Sequence, residues 1–307
     1  MKILKIATRN SPLALWQAEH VKQKLTDLYP ELKVELVSMT TEGDRFLDAP
    51  LIAVGGKGLF IKELEQALLN NDADIAVHSM KDVTIDLPEG MALPVIMQRE
   101  DTSDVLVSNN YRQIDDIPQG GIVGTSSLRR QSQIKAFRPD LNIKDLRGNV
   151  GTRLRKLDDG EYDAIVLAAA GVKRLGLNER IAQFIPHSQI LPAIGQGAIG
   201  IECRAGDQEV LNTIAPLNDQ MTQLCVQAER AFSRRLYGGC QLPIAGQASI
   251  FGNEVNLTGM VARVDGSEVI KDQLTGNIND IESTGTRLAE TLLDRGAEEI
   301  LKELIKH

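Results

Sequence analysis

The sequence predicts an α/β protein made of two units with similar grammar, followed by a smaller α+β domain. Three observations predict it: apolar runs alternate with helical patterns through the first two thirds, the alternation restarts near residue 104, and the grammar changes near residue 219. Lys2 to Ile6 reads as a strand. Ser11 and Pro12 form an N-cap and N1 pair, and Leu13, Trp16, Val21, Leu25 and Leu28 follow at helical spacing. Lys33 to Ser38 is a second strand. A loop containing Gly55-Gly56-Lys57-Gly58 leads into a helix through Phe60, Leu64, Ala67 and Leu68, then into the apolar run Ile75-Ala76-Val77. This β-α-β-α-β order signals a mostly parallel sheet with covering helices. The second unit repeats it with strands at Asp104 to Ser108, Gly121 to Val123, Asn142 to Leu146 and Ala164 to Leu167, and helices at Ser127 to Phe137 and near Thr152 to Leu157.

From residue 219, Met221, Leu224, Cys225, Ala228, Phe232 and Leu236 mark one face of a helix that a Gly238-Gly239 signal ends. Three strand-like runs follow, separated by Gly252-Asn253 and Asp265-Gly266, both read as two-residue hairpin turns. Leu288, Leu292, Ile300, Leu301, Leu304 and Ile305 supply closing helical turns, giving a C-terminal α+β domain over 220–307.

Composition narrows the function classes. The chain has 307 residues, 42% hydrophobic and 25% charged, an ordinary globular balance with room for more than one core. The longest apolar stretch, Ala164 to Val172, is too short to span a membrane, and the N-terminus lacks the apolar core of a signal peptide, so the cytoplasm is the expected compartment. A net charge of −8 disfavours general binding to nucleic acid or anionic membranes, so an anionic ligand must meet a local basic cluster. One Trp, four Tyr and six Phe make no base-stacking platform. Cys203, Cys225 and Cys240 have no C-x-x-C spacing, which argues against a disulfide framework and a zinc site.

Gly195-Gln196-Gly197-Ala198-Ile199-Gly200 fits G-x-G-x-x-G, but the apolar run Ile201-Glu202-Cys203 follows where a dinucleotide site needs a helix. The glycine loop around Lys57 lacks the spacing of a P-loop. Gly124-Thr125-Ser126-Ser127-Leu128-Arg129-Arg130 carries more. Arginines in a first helical turn oppose the macrodipole, so something negative should compensate them. Arg147, Arg153, Arg155 and Lys156, with Gly148 and Gly151, stand at the next strand-to-helix turn, and Arg9 and Ser11 at the turn after the first strand. Ligands of open α/β sheets sit at such turns.

Asp82, in His78-Ser79-Met80-Lys81-Asp82, falls at or just past a strand end. The pattern admits a carboxylate that stabilises a cation or moves a proton, but as a bare pattern it favours a cap of the turn before Pro88. His78 by itself reads as a satisfied core histidine. Cys203 and Cys225 read as core, whereas Gly238-Gly239-Cys240 puts Cys240 in a tight loop that permits an exposed thiol.

These segments resemble the porphobilinogen deaminase family along essentially the whole chain. The resemblance is carried by Ala7-Thr8-Arg9-Asn10-Ser11-Pro12-Leu13-Ala14, Gly56-Lys57-Gly58-Leu59-Phe60, Ala76 to Asp82, Gly124 to Arg130, Arg147-Gly148-Asn149-Val150-Gly151-Thr152-Arg153-Leu154, and Gly239-Cys240 with Pro243-Ile244-Ala245. Thr84 departs from the family, which usually has Pro directly after the Lys-Asp-Val that here is Lys81-Asp82-Val83. The resemblance implies head-to-tail joining of four porphobilinogen molecules, with release of ammonia, to hydroxymethylbilane in tetrapyrrole biosynthesis. The chain grows on a dipyrromethane cofactor, attached through a thioether that the motif assigns to Cys240.

By the same carry-over Asp82 is the catalytic carboxylate. Lys81, Asp82, Thr125, Ser127, Arg129, Arg130 and Arg147 belong to the cofactor, and Arg9, Ser11, Lys57, Arg147, Arg153 and Gln196 to the substrate. Each pyrrole carries an acetate and a propionate, which accounts for three basic turns in an acidic protein. The implied fold is two domains of the type II periplasmic-binding-protein kind plus the C-terminal α+β domain, with the chain crossing near 98–103 and 190–200. That sets domains at 1–98 with 198–216, 103–191 and 220–307. A monomer with a small-molecule substrate and no nucleic-acid or membrane partner is expected. The rival reading is a non-catalytic anion-binding or ligand-sensing protein of the same cleft fold, which the basic turns fit but Gly239-Cys240 does not.

Overall fold

The computed structural model describes residues 2–41, 61–238 and 242–305, and counts and absences below refer to these. The chain forms two compact units, residues 1–100 with 197–223 and residues 101–196 with 224–307. The first begins with β1 (Ile3–Arg9), α1 (Pro12–Leu28), β2 (Lys33–Met39), α2 (Lys62–Leu69), β3 (Ile75–Ser79) and β4 (Met91–Ile96). The second then contributes β5 (Asp104–Val107), β6 (Ile122–Gly124), α3 (Leu128–Phe137), β7 (Asn142–Lys144), α4 (Val150–Asp158), β8 (Ala164–Ala168), α5 (Ala169–Arg174) and β9 (Gln183–Ile185). The first unit is completed by β10 (Ile199–Arg204) and α6 (Gln208–Ile214). From α7 (Gln220–Arg235) the chain returns to the second unit for β11 (Ile244–Phe251), β12 (Glu254–Ala262), β13 (Val269–Asn277), α8 (Ile281–Leu292) and α9 (Glu298–Ile305).

Two five-stranded sheets share one wiring. Their orders are β2-β1-β3-β10-β4 and β7-β6-β8-β5-β9. In the first, β2, β1 and β3 are parallel and β10 runs antiparallel to β3 and β4. In the second, β7, β6 and β8 are parallel and β5 runs antiparallel to β8 and β9. The reversed strand in each sheet is the one that follows a passage from the other unit. A three-stranded antiparallel sheet, β11-β12-β13, stands beside them in sequence as the C-terminal domain. This is the fold class the sequence implies, two matched α/β sheets and an α+β ending.

The central strands β3, β5 and β8 are buried on both faces, which is why they read as continuous apolar runs. Leu4, Ile6, Val34, Ile75, Val77 and Ile201 pack under Ala18, Val21 and Leu25 of α1. Ala7 and Ala76, on the opposite face, meet Leu64, Ala67 and Leu68 of α2. In the C-terminal domain α7 lays Phe232 against β12, close enough that Gly259 leaves no room for a Cβ beside the ring.

Several expected boundaries move for local reasons. β1 continues to Arg9 and β3 to Ser79, while β7 ends at Lys144 rather than Leu146. Leu146 instead exchanges two hydrogen bonds with the Ser126 hydroxyl. α4 starts at Val150, two residues ahead of Thr152, because Asn149 caps it by accepting from Thr152 N at 2.9 Å. Gly252, with φ 59°, does make a two-residue turn between β11 and β12. Asp265-Gly266 does not: Arg263 N donates to Glu268 O, leaving a four-residue loop in which Asp265 accepts from Ser267 N and Oγ. Met221 is 49% exposed and off the apolar face. α7 ends at Arg235, and the left-handed residue just past it is Tyr237, at φ 57°, while Gly238 is required because a Cβ there would meet Ser233.

Candidate functional site

In the first unit the site is built where parallel strands β1 and β3 end. Arg9 closes β1, and Ser11 starts α1 by accepting from Ala14 N at 3.3 Å. β3 ends at Ser79 and tightens into a single 3₁₀ turn, Met80–Asp82, held by Met80 N donating to Ala198 O at 3.0 Å. Arg9, Ser11, Gln17, His78, Ser79 and Asp82 thereby line one cavity of about 60 Å³. Gln17 is buried and donates to Ser79 Oγ at 2.8 Å, fixing the wall between α1 and β3. Asp82 is half-buried, as is Lys81 beside it. Thr84, where the family usually has Pro, donates its hydroxyl to Asp86 O at 2.8 Å, a side-chain bond that ties the turn as a ring would stiffen it.

His78 is buried, as its sequence context implies, with Nε2 2.9 Å from Glu202 Oε2. Glu202 is fully buried on β10, facing β3, and its Oε1 has no hydrogen-bond partner. Glu65 on α2 is also buried with an unpartnered Oε1, and burial, then the neighbouring Glu202 charge, push its carboxyl above the usual range.

In the second unit two strand-to-helix turns lie side by side because β6 and β7 are parallel neighbours. Thr125 N donates to Lys144 O, and Ser126 bonds Leu146, stitching the turn after β6 to the turn after β7. Thr125 Oγ1 accepts from Ser127 N at 3.1 Å, and Ser127 occupies the N-cap position of α3 without capping through its side chain. Arg153, on α4, donates its Nε to Gly148 O at 2.8 Å; Arg147 and Arg153 are half-buried.

The compensating anion that the first-turn arginines require is Asp104, at the start of β5. Arg129 NH1 donates to its Oδ2 at 2.7 Å, and Arg130 Nε and NH2 donate to its Oδ1 at 3.2 and 2.7 Å. Gln196 Nε2 adds a fourth bond at 3.0 Å and also donates to Thr102 O. Burial alone would raise the Asp104 carboxyl, but the two guanidiniums overcome it and hold it well below the usual carboxylate range. Arg129 and Arg130 also donate to Leu191 O and Val166 O. Two buried cations against one buried anion leave this cluster one positive charge in excess.

The structure thus gathers Arg9, Ser11 and Asp82 in one unit, and Thr125, Ser127, Arg129, Arg130, Arg147 and Arg153 on adjoining turns of the other. Gln196 is fully buried in the Asp104 cluster. Lys57 and Cys240 lie outside the described residues. The G-x-G-x-x-G match runs into β10, not a helix. Cys203 is fully buried and its thiol is pushed up to about 11 by burial, and Cys225 is buried on α7. No metal-binding group of three or more His, Cys, Asp or Glu occurs among the described residues, and no helix there is long and apolar enough to cross a membrane. Sequence reasoning missed Asp104 and Glu202. The signal was present in both cases, an acid at the edge or centre of an apolar strand.

Fold and site together define an α/β protein of two matched sheets with basic and hydroxyl side chains at its strand-to-helix turns. Two family models match the chain, "Porphobilinogen deaminase, dipyromethane cofactor binding domain" over residues 4–212 and "Porphobilinogen deaminase, C-terminal domain" over residues 223–294. The chain belongs to the porphobilinogen deaminase family. It is accordingly a transferase of tetrapyrrole synthesis that joins porphobilinogen units with loss of ammonia and uses a dipyrromethane cofactor.

Among solved structures, it is similar to a putative methionine-binding lipoprotein from Bacillus subtilis, with 11% identity, 72% of this chain and 92% of that chain covered, and a TM-score of 0.46. It is also similar to the periplasmic VFT2 domain of Bordetella pertussis BvgS, with 15% identity, 70% and 86% coverage, and a TM-score of 0.44. A nutrient binding protein from Burkholderia cenocepacia bound to methionine gives 14% identity, 69% and 89% coverage, and a TM-score of 0.44.

Proposed function

We propose that the chain is a hydroxymethylbilane synthase in which Asp82 is the catalytic carboxylate and Cys240 carries the cofactor. The observation that carries this reading is the cavity shared by Arg9, Ser11 and Asp82 at the ends of β1 and β3. It presents cationic and hydroxyl donors for substrate carboxylates beside one half-buried acid. Loss of ammonia from porphobilinogen leaves positive charge on the methylene carbon and pyrrole nitrogen. A carboxylate fixed by the Met80–Asp82 turn opposes that charge with little reorganisation.

The residues of the second unit suit a dipyrromethane, because a group with two carboxylates on each pyrrole matches a donor set in which buried cations outnumber the anion. When bound, the cofactor supplies the pyrrole carbon at which the chain begins. Thr125, Ser127, Arg129, Arg130 and Arg147, with Lys81 and Asp82, would hold it. Arg9, Ser11, Lys57, Arg147, Arg153 and Gln196 would serve the substrate. The Cys240 thiolate suits attachment because sulfur attacks the same carbon electrophile that chain growth uses.

The domain division 1–98 with 198–216, 103–191 and 220–307, a monomeric state and a cytoplasmic location complete the proposal. The test is incubation of the holoprotein with porphobilinogen. Four ammonia per hydroxymethylbilane are expected, with a large loss in Asp82→Asn. Binding of porphobilinogen without ammonia release would favour the non-catalytic alternative.

A further inference from the structure

We infer that His78, held by the buried carboxylate of Glu202, is a second catalytic residue of the Asp82 cavity and accepts the proton released when each pyrrole is joined. The inference rests on the proposed role of that cavity. His78 Nε2 is taken by Glu202 at 2.9 Å, so Nδ1 is the nitrogen left for the cavity that His78 lines with Arg9 and Asp82. A buried carboxylate on one imidazole nitrogen fixes the tautomer and makes the other nitrogen the proton acceptor. Strand register enforces the pair. β10 runs antiparallel to β3 with Gly200 opposite His78 and Glu202 opposite Ala76, so both side chains rise from the same face as diagonal neighbours.

The other charged groups around His78 support this assignment. Glu65, from α2, has its carboxyl pushed up by burial and then by Glu202, so it stands on the Glu202 side of the imidazole. Lys62 acts on Glu65 from the same helix. Arg9 at the end of β1 and Asp82 after β3 face the same cavity, one of each sign. A core histidine that only needed a partner would not require a fully buried carboxylate with a second oxygen left unbonded.

The proton inventory of the reaction calls for such a group. The C–N bond of the substrate's aminomethyl group, in its ammonium form, breaks with its electron pair leaving on nitrogen as ammonia. A C–C bond then forms from the acceptor pyrrole carbon to the methylene carbon. That pyrrole carbon gives up its proton, and the C–H electron pair restores the aromatic ring. The released proton passes to Nδ1 and from there to ammonia, which departs as ammonium. No oxidant or reductant enters.

The test is the pH profile of single-turnover pyrrole addition by the holoprotein, with cofactor content from intact mass and stability from thermal unfolding. His78→Gln should slow addition on the order of 10²-fold or more while retaining the cofactor. Glu202→Gln keeps an acceptor for Nε2 but removes the carboxylate that fixes the imidazole, so the pH profile of addition should change shape while the cofactor is retained. Addition by His78→Gln within about threefold of the unaltered protein would overturn the inference. So would an unchanged pH profile in Glu202→Gln while stability falls. Should His78→Gln fail to fold, the Glu202→Gln profile decides. Absence of ammonia release from the unaltered holoprotein would instead overturn the parent reading, before any variant is compared.

Discussion

Replacing Asp104 with Asn should destabilise the second unit more than almost any other isosteric change in the protein. Asp104 is fully buried and accepts four hydrogen bonds, three of them from two guanidiniums. Asn keeps the shape and one acceptor oxygen but leaves both arginines without a counter-charge. Removing one partner from a buried ion pair typically costs about 3–5 kcal/mol. At about 2–4 °C per kcal/mol for domains of this size, the fall in midpoint is on the order of 10 °C.

The pH dependence carries the same signature. The folded-state carboxyl is held below its unfolded value, so its stabilisation is present above about pH 4 and is lost as pH falls. Urea denaturation of the holoprotein at pH 7 and at pH 3 reads both effects, and the Asn variant should lose less between the two than the unaltered protein. Asp272→Asn, which breaks an exposed pair with Arg295, is the control and should be near neutral. A midpoint for Asp104→Asn indistinguishable from that of Asp272→Asn would refute the claim that Asp104 supplies the counter-charge of the arginine pair.

Asp82→Asn should lower single-turnover addition on the order of 10²-fold or more with little change in stability, whereas Asp82→Glu should retain more activity than Asn. Normal turnover in the Asn variant would remove Asp82 from the mechanism. Cys240→Ser should fold without the covalent cofactor, while Cys225→Ala and Cys203→Ser keep it, as peptide mapping will show. Native alkylation at neutral pH should spare Cys203, which is fully buried with its thiol pushed up to about 11. Gly259→Ala places a Cβ against the Phe232 ring and should cost about 1–3 kcal/mol in denaturant titration, with ammonia release per folded molecule unchanged.

The fold was legible where local chemistry and tertiary packing agree. Ser11-Pro12 marks the start of α1 to the residue, and the apolar runs of β3, β5 and β8 locate strands buried on both faces. It was less legible where a long-range bond decides the outcome. β7 stops early because Leu146 turns to Ser126, and the left-handed residue past α7 is Tyr237, one place ahead of the glycine that signals the stop. The basic turns and Asp82 could be read from their place at strand ends, since the end of a parallel strand is a feature of sequence order. Their partners could not. Asp104 lies 25 and 26 residues from its arginines, and Glu202 lies 124 residues from His78. Such pairs are set by strand order within a sheet, which sequence periodicity does not encode.

Chain growth on a covalently held two-pyrrole cofactor is tested most directly by intact-mass measurement of the purified protein. The predicted result is a chain heavier than its sequence by a two-pyrrole adduct, growing by one pyrrole unit at a time when porphobilinogen is added. A bare chain mass in protein that releases ammonia from porphobilinogen would contradict it.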